Sequence, residues 1–238
     1  MIHILTTSYN GEPYIERCLG SIMSQKNQNF KCYITDDIST DNSVDKIKDF
    51  IRGDERFILI ENSVKMYQPG NYDQVIRGEY GIDDNDIMVE VDGDDWFPDR
   101  NVLTRVESVY SDSEVWVANG KFQYSDGRPG FASPPTNIDN IRNEAFTASH
   151  LRTWRAFLWR KIKVNDLKDE NGVYWEVAGD LSFMYPMIEM SGVKHYRFMD
   201  HINYIYNEAN PLNDHKVHLN SVGQVVKIIR NMPKYPLL

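Results

Sequence analysis

The densest group of chemically active side chains in the sequence is Asp92-Gly93-Asp94-Asp95, which places three carboxylates within four residues. Carboxylates this close repel one another, and a divalent cation is the simplest way to relieve that repulsion. Mg²⁺ and Mn²⁺ prefer oxygen ligands and often bind one or two carboxylates together with the phosphates of a substrate. The cluster therefore indicates a cation site, although an acidic turn has the same composition.

Several other ligand classes are excluded by spacing or charge. A calcium-binding EF-hand loop that began at Asp92 would need glycine and glutamate where the chain has Phe97 and Leu103. The sequence contains neither a Walker phosphate loop nor a G-x-G-x-x-G dinucleotide motif. The net charge of −9 argues against binding to the phosphate backbone of nucleic acids. The acidic first half of the chain is compatible with metal binding, and the second half is mildly basic.

The elements that would position the acidic cluster alternate between strands and helices. Short β-branched runs predict strands at 2–8, 30–35, 57–60 and 86–91. Apolar stripes with helical spacing predict helices over 15–23 and 44–51, and a third helix after Gly70-Asn71. Such alternation is typical of parallel β-α-β units with right-handed crossovers, so we expect an α/β fold with a Rossmann-like first half.

Three of these strands end in polar residues. The first ends in Thr7-Ser8-Tyr9-Asn10, the second in Asp36-Asp37, and the fourth in the acidic cluster. Ligands of open parallel sheets bind beyond the carboxyl ends of the strands. We therefore expect these three groups to lie together around a ligand.

Beyond residue 115 the pattern is less regular. Residues 126–145 are predicted as a long loop, which in a compact domain is often functional. Apolar spacing predicts helices at 153–162, 181–191 and 214–231, strands near 194–199 and 202–206, and a C-terminal tail at 233–238. Cys18 and Cys32 are interpreted as small, reduced core residues.

The motifs taken in order resemble the family 2 glycosyltransferases. The matching segments are ILTTSYNGEPYIERCLGSIMSQ, YITDDISTDNSVDKI and VEVDGDDWFPD, and a fourth, Val177-Ala178-Gly179-Asp180-Leu181-Ser182-Phe183, resembles the Gly-Glu-Asp segment of the family. The resemblance implies a GT-A fold, with a mixed Rossmann-like sheet flanked by helices. It implies one domain over 1–238, divided into a nucleotide-sugar-binding half at 1–119 and an irregular acceptor-binding half with a C-terminal helix at 120–238.

The resemblance also implies a role for individual residues. Thr7 and Tyr9 would frame the nucleotide base, and Asp37 would accept a hydrogen bond from it. Asp92 would bind the ribose or a metal-bound water, and Asp94 would bind Mn²⁺ or Mg²⁺ on the diphosphate.

Asp180 would be the general base of an inverting transfer, with Glu176 or Glu144 as the next candidates. From the residues alone, Asp180 is more simply the N-cap of a helix. The chain departs from the family where Gly179 replaces the glutamate before Asp180. It also lacks the Gln-x-x-Arg-Trp motif of processive members, which argues against a polymerising synthase.

Two further segments carry candidate ligands. In Ser149–Arg155, we expect Arg152 with His150 to contact the diphosphate or the acceptor, because guanidinium groups suit phosphate oxygens. The competing interpretation of this segment is a solvated cationic helix whose Trp154, Phe157 and Leu158 pack inward. Some GT-A enzymes use a late histidine on the metal, which makes His215 a candidate ligand, and Asp214 would cap the last helix.

The sequence thus predicts a metal-dependent, inverting transfer from a nucleotide-sugar, most simply UDP-linked, to a hydroxyl of a glycan, a lipid-linked or a protein acceptor. Two alternatives stay open at this point, a catalytically silent carbohydrate-binding or interaction module and a sugar nucleotidyltransferase. No apolar run approaches the roughly 18 residues of a membrane span. We expect no nucleic-acid partner and a cytoplasmic protein, either free or peripheral to a membrane.

Overall fold

The computed structural model describes residues 1–217 and 221–238, apart from the side chains of Asp214 and His215. Within these residues the strands are β1 (Ile2–Ser8), β2 (Phe30–Asp36), β3 (Phe57–Glu61), β4 (Ile87–Glu90), β5 (Val117–Tyr124), β6 (Arg152–Arg155) and β7 (Tyr196–Tyr206). The helices are α1 (Ile15–Met23), α2 (Ser43–Phe50), α3 (Tyr67–Ile76), α4 (Val102–Tyr110), α5 (Ala156–Lys161), α6 (Gly179–His195), α7 (Asp214–Val217) and α8 (Val222–Asn231), with 3₁₀ turns at Ile138–Asn143 and Val164–Leu167.

The first half follows the predicted alternation of strands and helices. Strands β3, β2, β1 and β4 lie side by side in that order, and all three pairings are parallel. The four predicted strands are confirmed within one or two residues. One boundary was wrong, because Gly70 and Asn71 lie inside α3 rather than before it. Helix α4 and strand β5 are additions that the pattern did not predict.

The second half completes a seven-stranded mixed sheet in the order β3-β2-β1-β4-β6-β5-β7. Strand β6 is antiparallel to both β4 and β5, and β7 runs parallel to β5. The expected α/β class with a mixed sheet and flanking helices is therefore confirmed.

The predicted helix at 153–162 was wrong in its first part, because residues 152–155 form β6 and the helix starts at Ala156. All four residues of β6 are buried. The solvated cationic helix is excluded for the same reason. A strand of four residues is too short to show a clear alternating pattern. The helical spacing of Trp154, Phe157 and Leu158 therefore dominates the sequence pattern here.

Other boundaries in this half also differ from the prediction. The strands expected at 194–199 and 202–206 are one strand, β7, whose register with β5 shifts near Gly120 and Lys121. The helix expected over 214–231 is described as α7 and α8, and residues 218–220 lie outside the described part of the chain. None of the described helices is long and apolar enough to cross a membrane.

Apolar side chains cover both faces of the sheet in two clusters. One cluster joins α1, α2 and α4 to the sheet and contains the free, buried Cys18 and Cys32. The other joins α3, α5 and α6 and is built around Trp154, Trp159 and Phe183. Helices on both faces explain why nearly all residues of β1, β2 and β4 are buried.

A buried ion pair links several elements of the C-terminal half of the chain. The guanidinium of Arg142 donates two hydrogen bonds to the carboxylate of Glu189 on α6, at 2.6 and 2.9 Å, and a third to the Ile229 carbonyl of α8. Glu189 also accepts the backbone N–H of Tyr235 at 3.0 Å. The predicted C-terminal tail at 233–238 has no regular secondary structure, but it is docked on the domain, since Tyr235 is buried and bonded to α6.

Replacing one partner of this pair should destabilise the fold strongly. In Glu189→Gln the Arg142 charge stays buried without a counter-charge, which typically costs about 3–5 kcal/mol. We expect the free energy of unfolding, measured by urea titration, to fall by about that amount. Glu114→Gln is the control, because its partner Lys194 is exposed and solvent screens the pair. Equal effects of the two variants would contradict this role of the buried pair.

Candidate functional site

A cleft of about 630 Å³ lies at the carboxyl ends of the parallel strands. Its lining includes residues that follow β1, β2 and β4, the start of α3, the start of α6 and the segment after β7. The sequence-predicted residues that line it are Thr7, Tyr9, Asp37, Asp92, Asp94, His150, Arg152, Glu176 and Asp180. The convergence of the three strand ends on one cleft, expected from the sheet topology, is thus present.

The acidic turn after β4 is held by donors from distant parts of the chain. Gln68 Nε2 donates to Asp92 Oδ1 at 3.2 Å, and Asn210 Nδ2 donates to Asp94 Oδ2 at 2.7 Å. Asp95 is buried and accepts the Tyr204 hydroxyl at 2.6 Å and a backbone N–H at 2.6 Å. Asp95 therefore fixes the turn from beneath, while Asp92 and Asp94 face the cleft.

A glycine is required in the middle of this turn. A Cβ atom added to Gly93 would lie 2.8 Å from the carbonyl oxygen of Thr7 and 3.3 Å from Ser8. The backbone N–H of Gly93 also donates to that carbonyl at 2.9 Å. The turn thus packs directly on the end of β1, which brings Asp92 and Asp94 beside the residues that follow the first strand.

Burial and mutual repulsion make these carboxylates hard to ionise. Burial raises the pKa of Asp92 to about 7, and the charge of Asp94 adds to the rise. Burial likewise raises the pKa of Asp94, although the hydrogen bond from Asn210 opposes it, and that of Asp95 well above its usual range. An arrangement that disfavours its own negative charge fits a divalent cation, because the cation compensates that charge with oxygen ligands.

A second grouping of metal-ligand type lies deeper in the cleft. Ligand atoms of Glu90, Asp92 and His150 lie within 4.8 Å of one another. Glu90 Oε2 and His150 Nδ1 are buried without a hydrogen-bond partner among the described residues. Against a cation here, Glu90 Oε1 is already paired with the Arg152 guanidinium. The cation site that the geometry favours is therefore the more open pair Asp92 and Asp94.

Residues from the first two strand ends line the other part of the cleft. Tyr9 is 45% exposed, and the Lys65 ammonium lies 3.0 Å from the centroid of its ring. Thr7 Oγ1 is buried and has no hydrogen-bond partner among the described residues. One face of the Tyr9 ring is therefore covered by Lys65, and the Thr7 hydroxyl is an unpaired buried group in a residue that lines the cleft.

Asp37 holds the start of α3. Its carboxylate accepts the backbone N–H groups of Met66 at 2.8 Å and Tyr67 at 2.9 Å, together with the amide of Asn62 at 2.9 Å. Lys65 lies 3.7 Å from Asp37 Oδ2. Asp37 therefore links the second strand end to the helix that carries Gln68, in addition to facing the cleft.

Arg152 is buried and bridges two carboxylates. Its Nη1 donates to Glu90 Oε1, its Nη2 donates to Asp180 Oδ2 at 2.5 Å, and its Nε donates to the Ala148 carbonyl at 3.2 Å. Each of its three guanidinium nitrogens thus has a partner within the protein. The side chain lines the cleft as expected, but its guanidinium is paired with carboxylates there.

Asp180 lies in the first turn of α6 and is not the N-cap, which is Ala178 in a left-handed conformation with φ of 52°. Its Oδ1 accepts the Leu181 N–H at 3.0 Å. Packing explains why the preceding residue, Gly179, is a glycine, since a Cβ atom there would lie 2.7 Å from Pro69 Cγ. The close contact between the starts of α3 and α6 thus accounts for the glycine where the resemblance expects glutamate.

The remaining candidate residues differ in their surroundings and in whether they line the cleft. His150 stacks on Tyr204 with ring centroids 4.3 Å apart, and burial with the nearby Arg152 charge lowers its pKa well below the usual range. Glu176 is exposed at the cleft, whereas Glu144 hydrogen-bonds with Thr136 and is not among the lining residues. The side chains of His215 and Asp214 lie outside the described part of the structure.

Sequence reasoning missed three residues that contact the acidic turn, Gln68, Tyr204 and Asn210. They reach it from the start of α3, from β7 and from the segment after β7. None of these three residues belongs to a sequence motif that would have indicated a role at the acidic turn. The one available signal was the polar run 207–216 directly after an apolar strand.

Comparisons with known proteins agree with this geometry. The profile described as glycosyl transferase family 2 matches residues 3–175. EpsH of Bacillus subtilis strain 168, whose name assigns it provisionally to the glycosyltransferases, is 22% identical over 94% of this chain and 62% of its own length. The poly(ribitol-phosphate) beta-glucosyltransferase of Bacillus spizizenii is 26% identical over 68% of this chain and 26% of its own length. The chain therefore spans less than two thirds of these relatives.

Solved structures share the fold at low sequence identity. Residues 1–349 of S. aureus TarS in complex with UDP-GlcNAc align with a TM-score of 0.69, at 16% identity over 96% of this chain and 66% of that one. Glucosyl-3-phosphoglycerate synthase of Mycobacterium tuberculosis, in complex with Mn²⁺, UDP and glucosyl-3-phosphoglycerate, aligns with a TM-score of 0.63, at 12% identity over 98% of this chain and 81% of that one. The structural likeness establishes the GT-A fold, and the profile match establishes that this chain is a member of glycosyl transferase family 2.

Proposed function

We propose that this family member transfers a sugar from a nucleoside diphosphate sugar, with UDP as the nucleotide, to an acceptor hydroxyl with inversion of the anomeric carbon. One observation carries the proposal. A single cleft is lined both by the carboxylates suited to a cation, Asp92 and Asp94, and by a separate carboxylate, Asp180, at the start of α6. A donor diphosphate needs the first group, and an attacking hydroxyl needs the second.

The nucleotide would bind at the ends of β1 and β2. Tyr9 offers a half-exposed ring for stacking. Among the described residues, Asp37 Oδ2 accepts one short hydrogen bond, from Tyr67, so that it can accept another from a base N–H. Lys65 would leave the Tyr9 face or donate to the base. The choice of UDP is supported by the UDP-GlcNAc and UDP complexes of the two structural neighbours.

The donor diphosphate would bind above the acidic turn. Asp94 would hold Mn²⁺ or Mg²⁺, with Asp92 contributing to the ion or to the ribose. A divalent cation held there would neutralise the charge that develops on the leaving diphosphate. Asn210, which donates to Asp94 Oδ2, leaves Oδ1 open toward a ligand.

Asp180 would act as the general base. Its side chain is 21% exposed, and its Oδ1 is not engaged by Arg152. A proton taken from the acceptor hydroxyl would move to this oxygen as the hydroxyl attacks the anomeric carbon. General-base catalysis of this kind contributes roughly 10²–10⁴-fold. Direct attack by the acceptor in one displacement inverts the anomeric centre.

The acceptor would bind along the apolar part of the cleft lining. Phe131 and Leu212, 58% and 43% exposed, line it together with Tyr206. Flat apolar and aromatic surfaces suit the carbon faces of a sugar ring, so a glycan, free or attached to lipid or protein, is the acceptor class proposed.

The direct test is donor turnover by the purified protein. We expect slow UDP release from at least one UDP-sugar in the presence of Mn²⁺, and loss of that release after EDTA. A panel of UDP-, dTDP- and GDP-linked sugars, followed by chromatography of the released nucleotide, covers the plausible donors. The absence of release from every donor would favour the silent carbohydrate-binding module.

Mn²⁺ with UDP should stabilise the protein through Asp94. Ligands that bind only the folded state stabilise it by about 2.7 kcal/mol at 100 times their dissociation constant. We expect a rise in melting temperature with wild type and little rise with Asp94→Asn, measured by differential scanning fluorimetry. Asp45→Asn on the exposed face of α2 is the control and should respond like wild type. An equal rise in all three would remove Asp94 from the cation site.

Asp180→Asn should separate binding from chemistry. The amide keeps the size of the side chain but cannot accept a proton, so turnover should fall by at least about 10²-fold while Mn²⁺–UDP binding stays near wild type. Isothermal titration and UDP release measure the two quantities. Glu176→Gln is the matched control in the same cleft. Loss of turnover in Glu176→Gln rather than in Asp180→Asn would assign the base to Glu176.

A further inference from the structure

Glu90 is a fully buried carboxylate in an otherwise apolar strand. None of its surface is exposed to solvent. A carboxylate without a counter-charge is costly in such a position. Its location is therefore explained only by what it contacts, and neither the cation site nor the proposed nucleotide site uses it.

The strand register sets Glu90 against Arg152. Strands β4 and β6 pair antiparallel, with Met88 opposite Trp154 and Val89 opposite Thr153. The next step of this register brings Glu90 and Arg152 together, and the two side chains form the ion pair between Nη1 and Oε1. Gln68 Nε2 adds a second donor to the same oxygen at 3.2 Å.

The Arg152 guanidinium is shared between two carboxylates. Its Nε donates to the Ala148 carbonyl, its Nη1 donates to Glu90, and its Nη2 donates to Asp180. A guanidinium is planar and can bind one carboxylate through two parallel hydrogen bonds when nothing else competes for it. Here it contacts Asp180 through Oδ2 alone, which leaves Oδ1 with the Leu181 N–H and the cleft.

We propose that Glu90 is a positioning residue that divides the Arg152 guanidinium between itself and Asp180, so that Asp180 is oriented through Oδ2 and takes the acceptor proton on Oδ1. Arg152 is then a second positioning residue, not a diphosphate ligand. The inference rests on the proposed role of Asp180 as base. Glu90, although buried in a strand, thus controls which oxygen of the Asp180 carboxylate faces the acceptor.

The structural test needs no substrate. In Glu90→Gln the neutral amide competes less well for the guanidinium, so Arg152 should turn to bind Asp180 through both oxygens. Crystal structures of wild type and Glu90→Gln would show one and two Arg152–Asp180 N–O contacts within about 3.2 Å, respectively. A single, unchanged contact in the variant would overturn the proposal.

The kinetic test uses Mn²⁺-dependent UDP release from the most active UDP-sugar. Small displacements of a catalytic group can cost about 10²-fold, so Glu90→Gln should lower kcat by roughly 10–100-fold and change the donor KM by less than about threefold. Glu107→Gln on the exposed side of α4 is the control. Arg152→Lys keeps the charge but loses the planar fork, and should lower kcat in the same way. It serves as the second variant if Glu90→Gln does not fold.

A double-mutant cycle separates this proposal from the role of Asp180. If Glu90 acts through Asp180, Glu90→Gln should cause less than about twofold further loss in an Asp180→Asn background. An equal loss in both backgrounds would show that Glu90 acts elsewhere and would overturn the inference. A wild-type rate for Asp180→Asn would instead reject Asp180 as the base. The crystal structures would still show whether the Arg152 guanidinium is shared between Glu90 and Asp180.

Discussion

The structure depends on the crowding of buried carboxylates at the end of the central strand β4. Glu90, Asp92, Asp94 and Asp95 lie within six residues, and burial raises the pKa of each one. Such a cluster is stable only if its charges are compensated. Four parts of the chain contribute donors to that compensation: α3 through Gln68, β6 through the Arg152 guanidinium, β7 through Tyr204, and the segment after β7 through Asn210.

The compensation is uneven, in the way that the proposed function requires. Glu90 and Asp95 receive protein partners that fix them in place, whereas Asp92 and Asp94 keep oxygens toward the cleft. The open end of the site lacks compensating positive charge, whereas the closed end is compensated by protein groups. Such a site suits a cation together with an anionic ligand. The inserted antiparallel strand β6 makes this possible, because it brings a buried arginine next to β4 at the same depth.

The sequence predicted the parallel half of the sheet and its cleft because both follow from local patterns. Apolar runs of four to seven residues define the strands, and the polar residues after them must meet at one edge. The order of the remaining strands depends on contacts far apart in the chain, such as Val89 with Thr153, and has no local period. For the same reason β6 was taken for the start of a helix, and Gln68, Tyr204 and Asn210 were not predicted at the acidic turn. The roles of Thr7, Tyr9, Asp37 and Asp180 remain predictions, made by resemblance and compatible with where these residues lie.

The central claim is that the carboxylates after β4 bind a cation that carries the donor diphosphate. The most direct measurement is the anomalous scattering of manganese in a crystal grown with Mn²⁺ and UDP. We expect a manganese peak about 2 Å from a carboxylate oxygen of Asp94, with diphosphate oxygens on the same ion. A peak on other residues, or UDP bound in the cleft with Asp92 and Asp94 free of metal, would contradict it.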